Sequence, residues 1–155
     1  MRFAITHPAE ILRAATVGLL VAIGTGLVTV PLFKSGIAPM PEAPSLAFAK
    51  TLFGPVADSI GLVFHVGYVT GITTLALMVV GARPSAGTVA GIAALLYVIA
   101  VGAIFPVVGW GFAGLAITPK IAVAAIGPHV LYALVLWGAD RVVFGRRARG
   151  GHALA

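Results

Sequence analysis

Four long apolar runs, each bounded by charged residues or prolines, dominate the hydropathy pattern of the chain. Each run has roughly the 20 residues that a helix needs to cross the hydrocarbon core of a bilayer. The membrane spans predicted from these runs cover residues 14–33, 59–82, 86–108 and 121–143. A helix satisfies its backbone hydrogen bonds internally, so the pattern predicts an all-α, integral membrane four-helix bundle.

Small residues recur at four-residue spacing in the first three spans. Such stripes let two helix backbones approach closely, which is how helices associate where lipid is as apolar as leucine. We therefore predict helix contacts along all three stripes. The residues are Ala14, Gly18, Ala22 and Gly26 in the first span, Gly67 and Gly71 in the second, and Gly87 and Gly91 in the third.

The segments before and between the first two spans carry most of the remaining polar residues. Residues 1–13 are predicted to form an amphipathic lead-in at the membrane interface. Residues 34–58 contain four prolines, which rule out one continuous helix. Ser45 can cap a short helix that ends at Phe53, so we expect an interfacial helix here. A plain solvated loop is the alternative.

The later connections differ in length. Only a short turn around Pro84 separates the second and third spans, which predicts a tight antiparallel hairpin. Pro106 and several glycines make the end of the third span irregular, so residues 104–117 form either a wet loop or the wall of a cavity. Trp110 is placed like an aromatic residue of the membrane interface.

Composition agrees with a membrane protein and excludes several other classes. The chain is 60% hydrophobic and only 9% charged, whereas soluble domains are about a quarter charged. There is no cysteine, so disulfides, thiolate metal sites and redox dithiols are excluded. The net charge of +6 comes from residues at span ends and lacks interleaved aromatics, so we expect no nucleic-acid partner.

The basic residues predict the orientation in the membrane. If the N-terminus is cytoplasmic, seven basic residues lie on that side and three on the other. The positive-inside rule then places both termini in the cytoplasm. The basic tail, residues 146–155, is expected to attract anionic lipid. The seven are Arg2, Arg13, Arg83, Arg141, Arg146, Arg147 and Arg149, and the three are Lys34, Lys50 and Lys120.

Two histidines occupy matched positions in the second and fourth spans. His65 and His129 each begin a His-Val-x-Tyr sequence, and a glycine follows sixteen residues after each histidine. The match predicts two helical-hairpin repeats, with chance similarity between two apolar helices as the alternative. Both histidines are candidate cofactor ligands facing one another, and Tyr68 and Tyr132 are candidate outer partners one turn further along.

Four short motifs are spread along the chain: Lys34 followed by Pro39-Met40-Pro41-Glu42, the pair Phe64-His65, Phe105-Pro106 with glycines after it, and Pro128-His129. Together they resemble the YagU-like group of small bacterial four-helix membrane proteins of unassigned function. The resemblance spans roughly residues 17–147 and implies an integral membrane protein of the bacterial inner membrane, but it supplies no secure catalytic or ligand residues.

Three classes of function agree with the sequence. The first is a non-catalytic structural or accessory subunit, associated with other membrane subunits or with itself. The second is a bis-histidine haem b or metal-binding protein, because neutral imidazole binds both. The third is a small-solute or proton transporter, which ranks last because such proteins commonly use Asp or Glu within the membrane, and the apolar stretches up to Ala139 contain none. Asp140 and Arg141 are expected to pair at the interface.

Reporter fusions test the predicted topology. A periplasmic reporter fused after Arg83 or Arg147 should be inactive, and a cytoplasmic reporter at the same points active, because of the basic asymmetry. Periplasmic activity at either position would contradict cytoplasmic termini.

Overall fold

The computed structural model describes residues 3–145, which form five helices and no strand. Four of the helices are long and apolar enough to cross a membrane, so the prediction of an all-α protein with four apolar spans is confirmed. The predicted basic tail, residues 146–155, lies outside the described residues. The helices are α1 (Pro8–Lys34), α2 (Pro44–Phe53), α3 (Asp58–Val80), α4 (Ala86–Val107) and α5 (Lys120–Gly145).

The start of the chain is tied to the end of α3. The backbone N–H groups of Ala4 and Ile5 both donate to the carbonyl of Met78, at 2.7 and 3.1 Å, and the Ile5 side chain is buried. Pro8 then starts α1, where its missing N–H is no loss. Helix α1 thus begins within the lead-in predicted for residues 1–13 and continues into the span.

Helix α1 lies at the centre of the bundle. It packs against α3 on one side and α5 on the other, and α5 in turn packs against α4. The stripe predicted on α1 forms the contact with α3: a side chain on Gly18 would start only 2.6 Å from the carbonyl oxygen of Thr70. Ala14 and Ala22 on the same stripe are also buried.

Helices α3 and α4 separate from the turn that joins them. Their backbones do not run side by side, so the tight hairpin predicted for spans two and three is wrong. The contacts predicted along the small-residue stripes of the second and third spans are also wrong for Gly67, Gly71 and Gly91: within residues 3–145 nothing lies within 4 Å of a side-chain carbon added there. A short connection brings two helix ends together but does not make the helices pack along their length.

A buried core holds the bundle together at the end where the chain starts and where the α3–α4 turn lies, which we call the terminal end. The core combines residues of all four long helices, among them Val17, Val21, Leu77, Val89, Ala93, Leu96 and Leu136. A hydrogen bond of 3.0 Å between the hydroxyls of Thr73 on α3 and Tyr132 on α5 lies in the same region.

Helix α2 lies across the opposite end, which we call the loop end. It contacts α3 closely, with Leu46 against Gly61, and the rings of Phe48 and Phe53 lie against that of Phe64. A second buried cluster contains Ala47 of α2 together with residues of α4 and α5. Helix α2 therefore bridges α3 and α4 at the end where they are furthest from their common turn.

The details at the loop end correct two expectations. Helix α2 starts at Pro44 with Ala43 as the N-cap residue, so Ser45 is not the cap. Trp110 is buried against Phe105, with ring centroids 5.2 Å apart, and is not an interfacial aromatic. Before Pro106, which has no N–H to donate, α4 widens into a π-helical stretch, Ala100–Ile104.

Replacing Gly18 by leucine should destabilise the bundle, because the new side chain overlaps the α3 backbone at Thr70. Overpacking of this kind costs about 1–3 kcal/mol, measurable as a lower unfolding midpoint in detergent. Gly67→Leu is the matched control and should be tolerated, since its site is open. If Gly18→Leu and Gly67→Leu lowered the unfolding midpoint equally, the α1 stripe would not be a closer helix contact than the glycine positions of α3.

Candidate functional site

A cavity of about 850 Å³ lies between the four long helices, beneath α2. Its lining is mostly apolar, with a few polar side chains from α1, α3 and α5. Along α3 it extends from Asp58 to Ile72, roughly 20 Å, since a helix rises about 1.5 Å per residue. The cavity exists because α3 and α4 diverge from their turn while α2 keeps the loop end covered.

His65 lines the cavity and bonds to α1. Its Nε2 atom lies 3.1 Å from the carbonyl oxygen of Ala22 and 3.2 Å from Oγ1 of Thr25. The ring packs beside Gly26 of α1: a side-chain carbon added at Gly26 would lie 3.6 Å from it, an ordinary van der Waals distance. A carbonyl oxygen only accepts, so Nε2 carries the hydrogen, and Nδ1 of a neutral ring is a bare acceptor.

His129 lines the same cavity but bonds within its own helix. Its Nδ1 atom lies 2.7 Å from the carbonyl oxygen of Ala125, so Nδ1 carries the hydrogen and Nε2 is the bare acceptor. The ring meets that of Tyr97 edge-on, with centroids 5.6 Å apart. The Tyr97 hydroxyl donates to the carbonyl of Ala122, which fixes α4 against α5 beside the histidine.

Tyr68 and Tyr132, predicted as equivalent outer partners of the two histidines, lie in different surroundings. Tyr68 lines the cavity and is half-exposed, whereas Tyr132 is buried and bonds to Thr73 on the neighbouring helix. Tyr97, which the sequence reasoning missed, is the aromatic contact of His129. Because Tyr97 belongs to the third span, which contains no histidine, the repeated His-Val-x-Tyr sequence could not indicate it.

The walls of the cavity also differ from expectation. Residues of α2 line it, as does Phe105, while Pro106 and Trp110 do not. The segment around Pro106 thus contributes a cavity wall through the residues just before the proline. The two histidines bond to different helices, so their matched sequence positions do not give them matched contacts.

Charged residues line only the loop end of the cavity. Lys34 ends α1, Asp58 begins α3, and Lys50 donates to the carboxylate of Glu42. Among the described residues, no group of three or more histidine, cysteine or acidic side chains is arranged to hold a metal ion. The deeper part of the cavity presents histidine, threonine and tyrosine side chains in apolar surroundings.

A second polar group lies at the terminal end. Asp140 is completely buried in α5, and its Oδ1 atom accepts a hydrogen bond of 3.2 Å from the backbone N–H of Arg83 in the α3–α4 turn. Its Oδ2 atom has no partner within residues 3–145. A buried carboxylate with an unpaired oxygen is uncommon, because desolvation of a charge is costly.

The expected pair between Asp140 and Arg141 does not form. Arg141 lies over the ring of Trp137, 3.9 Å from its centroid, and donates to the Trp137 carbonyl. Adjacent residues on a helix point in different directions, so Asp140 turns inward while Arg141 lies outside. Asp140 is therefore a carboxylate buried near the end of the fourth apolar helix and hydrogen-bonded to the α3–α4 turn.

Comparison with family models, with curated proteins and with solved structures finds no match to this chain. The resemblance to the YagU-like group thus stays a prediction from short motifs.

Substitutions of Asp140 test its bond to the turn. Asp140→Ala should lower the free energy of unfolding by about 1–3 kcal/mol, because the Arg83 N–H loses its partner in a buried place. Asp140→Asn keeps an acceptor of the same shape and should be close to wild type. Denaturant unfolding in detergent measures both, and an equal loss in Asn and Ala would show that the charge matters more than the hydrogen bond.

Proposed function

We propose that this protein is a non-catalytic accessory membrane protein that holds an amphiphilic molecule in the cavity beneath α2. The single observation that carries the proposal is the cavity itself, with an apolar lining, polar groups at depth and charged residues only at the loop end. Cavities of about 300–1,000 Å³ are the usual size of small-molecule sites, and this one lies within that range.

The opening between α3 and α4 supports a ligand that arrives from the bilayer. Helices α3 and α4 do not pack along their length, so the cavity is open on the side that would face the acyl chains of the lipid. An apolar tail can extend through this side while a polar head reaches His65, Tyr68 and His129. A purely structural subunit needs no such space, because helices associate best without voids.

The orientation forms part of the proposal. The protein lies in a bacterial inner membrane with both termini in the cytoplasm, since the positive-inside rule favours the terminal end on the cytoplasmic side. The loop end, with α2 and the mouth of the cavity, then lies on the opposite side. Anionic lipid would contact the basic residues at the cytoplasmic end, and the open glycine faces of α3 and α4 could meet another subunit or a second copy.

Haem b is the second candidate ligand, because two histidines with one bare nitrogen each line the same cavity. Neutral imidazole is a good ligand for haem iron. Ligation by His65 would have to use Nδ1, because Nε2 bonds to Ala22 and Thr25 on α1. An optical spectrum of the purified protein decides this alternative, since a Soret band would favour haem.

A variant that fills the cavity tests the proposed function. Ile104→Trp places a large ring in the cavity wall and should lower the amount of co-purified or added amphiphile about tenfold, equivalent to roughly 1.4 kcal/mol. Val98→Trp, on an exposed position of α4 that does not line the cavity, is the matched control. Native mass spectrometry measures the bound molecule, and unchanged binding in Ile104→Trp would contradict the proposal.

A further inference from the structure

We infer that the cavity selects an amphiphile whose uncharged head carries hydroxyl groups, such as a long-chain alcohol, phenol or hydroquinone. The inference rests on the proposed function and adds the chemistry of the head. The hydrogen-bond state of two histidines carries it.

Both histidines line the same cavity, and each keeps one ring nitrogen without a hydrogen. The carbonyl of Ala22 fixes the hydrogen of His65 on Nε2, and the carbonyl of Ala125 fixes that of His129 on Nδ1. A neutral imidazole has one hydrogen, so Nδ1 of His65 and Nε2 of His129 are acceptors. Within residues 3–145 neither atom has a hydrogen-bond partner, and neither is among the polar atoms sealed off without one.

An acceptor in apolar surroundings needs a donor. When no ligand is bound, water can donate to these two nitrogens, and a ligand that fills the cavity displaces that water. A ligand with an O–H group replaces the lost hydrogen bond, whereas an ether or ester leaves the acceptor unpaired. The threonine hydroxyls of α1 near His65 already donate to backbone carbonyls of their own helix. Once water is displaced, the donor for the two nitrogens therefore comes from the bound molecule or from Tyr68, whose side chain also lines the cavity.

The charge of the lining favours an uncharged head. The ionic side chains of the cavity, Lys34, Glu42, Lys50 and Asp58, lie at the loop end, and two of them already pair with each other. Around the histidines the lining consists of neutral and apolar side chains. A phosphate or carboxylate placed there would have no counter-charge in a medium of low dielectric constant. A hydroxyl-bearing ring or chain end meets no such penalty.

Two probes with the same tail test the inference. A long-chain alkylhydroquinone and its dimethyl ether, added anaerobically to the full-length protein in detergent, differ only in their O–H donors. The hydroquinone should bind about tenfold more tightly, as expected for one hydrogen bond to a buried acceptor. His129→Phe should reduce its affinity to that of the ether, while Val98→Phe, outside the cavity, should leave the difference unchanged.

His129 is the better position to change, because His65→Phe also removes a bond between α1 and α3 and the variant could unfold. Circular dichroism of His129→Phe checks that the helices remain. Tyr68→Phe is the second variant, and a modest loss of hydroquinone binding there would place the head beside α3.

Each outcome has a separate meaning. Equal binding of the two probes, with both displaced by Ile104→Trp, overturns the choice of head and leaves the proposed function intact. Failure of both probes to bind overturns the proposed function. A Soret band in the purified protein that disappears in His129→Phe assigns the lone pairs to haem iron and overturns the inference.

Discussion

The close approach of α1 and α3 is the contact on which the rest of the structure depends. It is possible because Gly18 has no side chain where the α3 backbone passes at Thr70. With α3 on one side and α5 on the other, α1 becomes the central helix, and α4 reaches the bundle mainly through α5. The two helices joined by the shortest connection are left apart, and the cavity is the space between them.

Different contacts hold the helices together at the two ends of the bundle. At the terminal end, a buried core, the docked N-terminal residues and the bond from Arg83 to Asp140 hold the helices together. At the loop end, α2 bridges α3 and α4 through Leu46 and Ala47. Between the two ends the helices enclose the cavity, whose polar side chains include two histidines that each bond a backbone carbonyl through one ring nitrogen.

Much of the architecture follows from local sequence. The length and hydropathy of four runs set the four long helices, and prolines at positions 8 and 44 start α1 and α2 because proline suits a helix first turn. The α1 stripe through Gly18 was predicted as a contact and is one. His65 and His129 were singled out as polar groups in apolar helices, and both line the cavity.

Which helices become neighbours was decided only by the tertiary structure. The glycine pairs on α1 and α3 look equivalent in sequence, yet Gly18 lies against the α3 backbone and Gly67 has no neighbour within residues 3–145. A small residue makes a contact only where another helix packs against it. Trp110 and Asp140 lie near span ends, where sequence predicts the interface, but packing buries both. Helix length and hydropathy are properties of one segment, whereas neighbours, burial and a cavity depend on how all the helices share space.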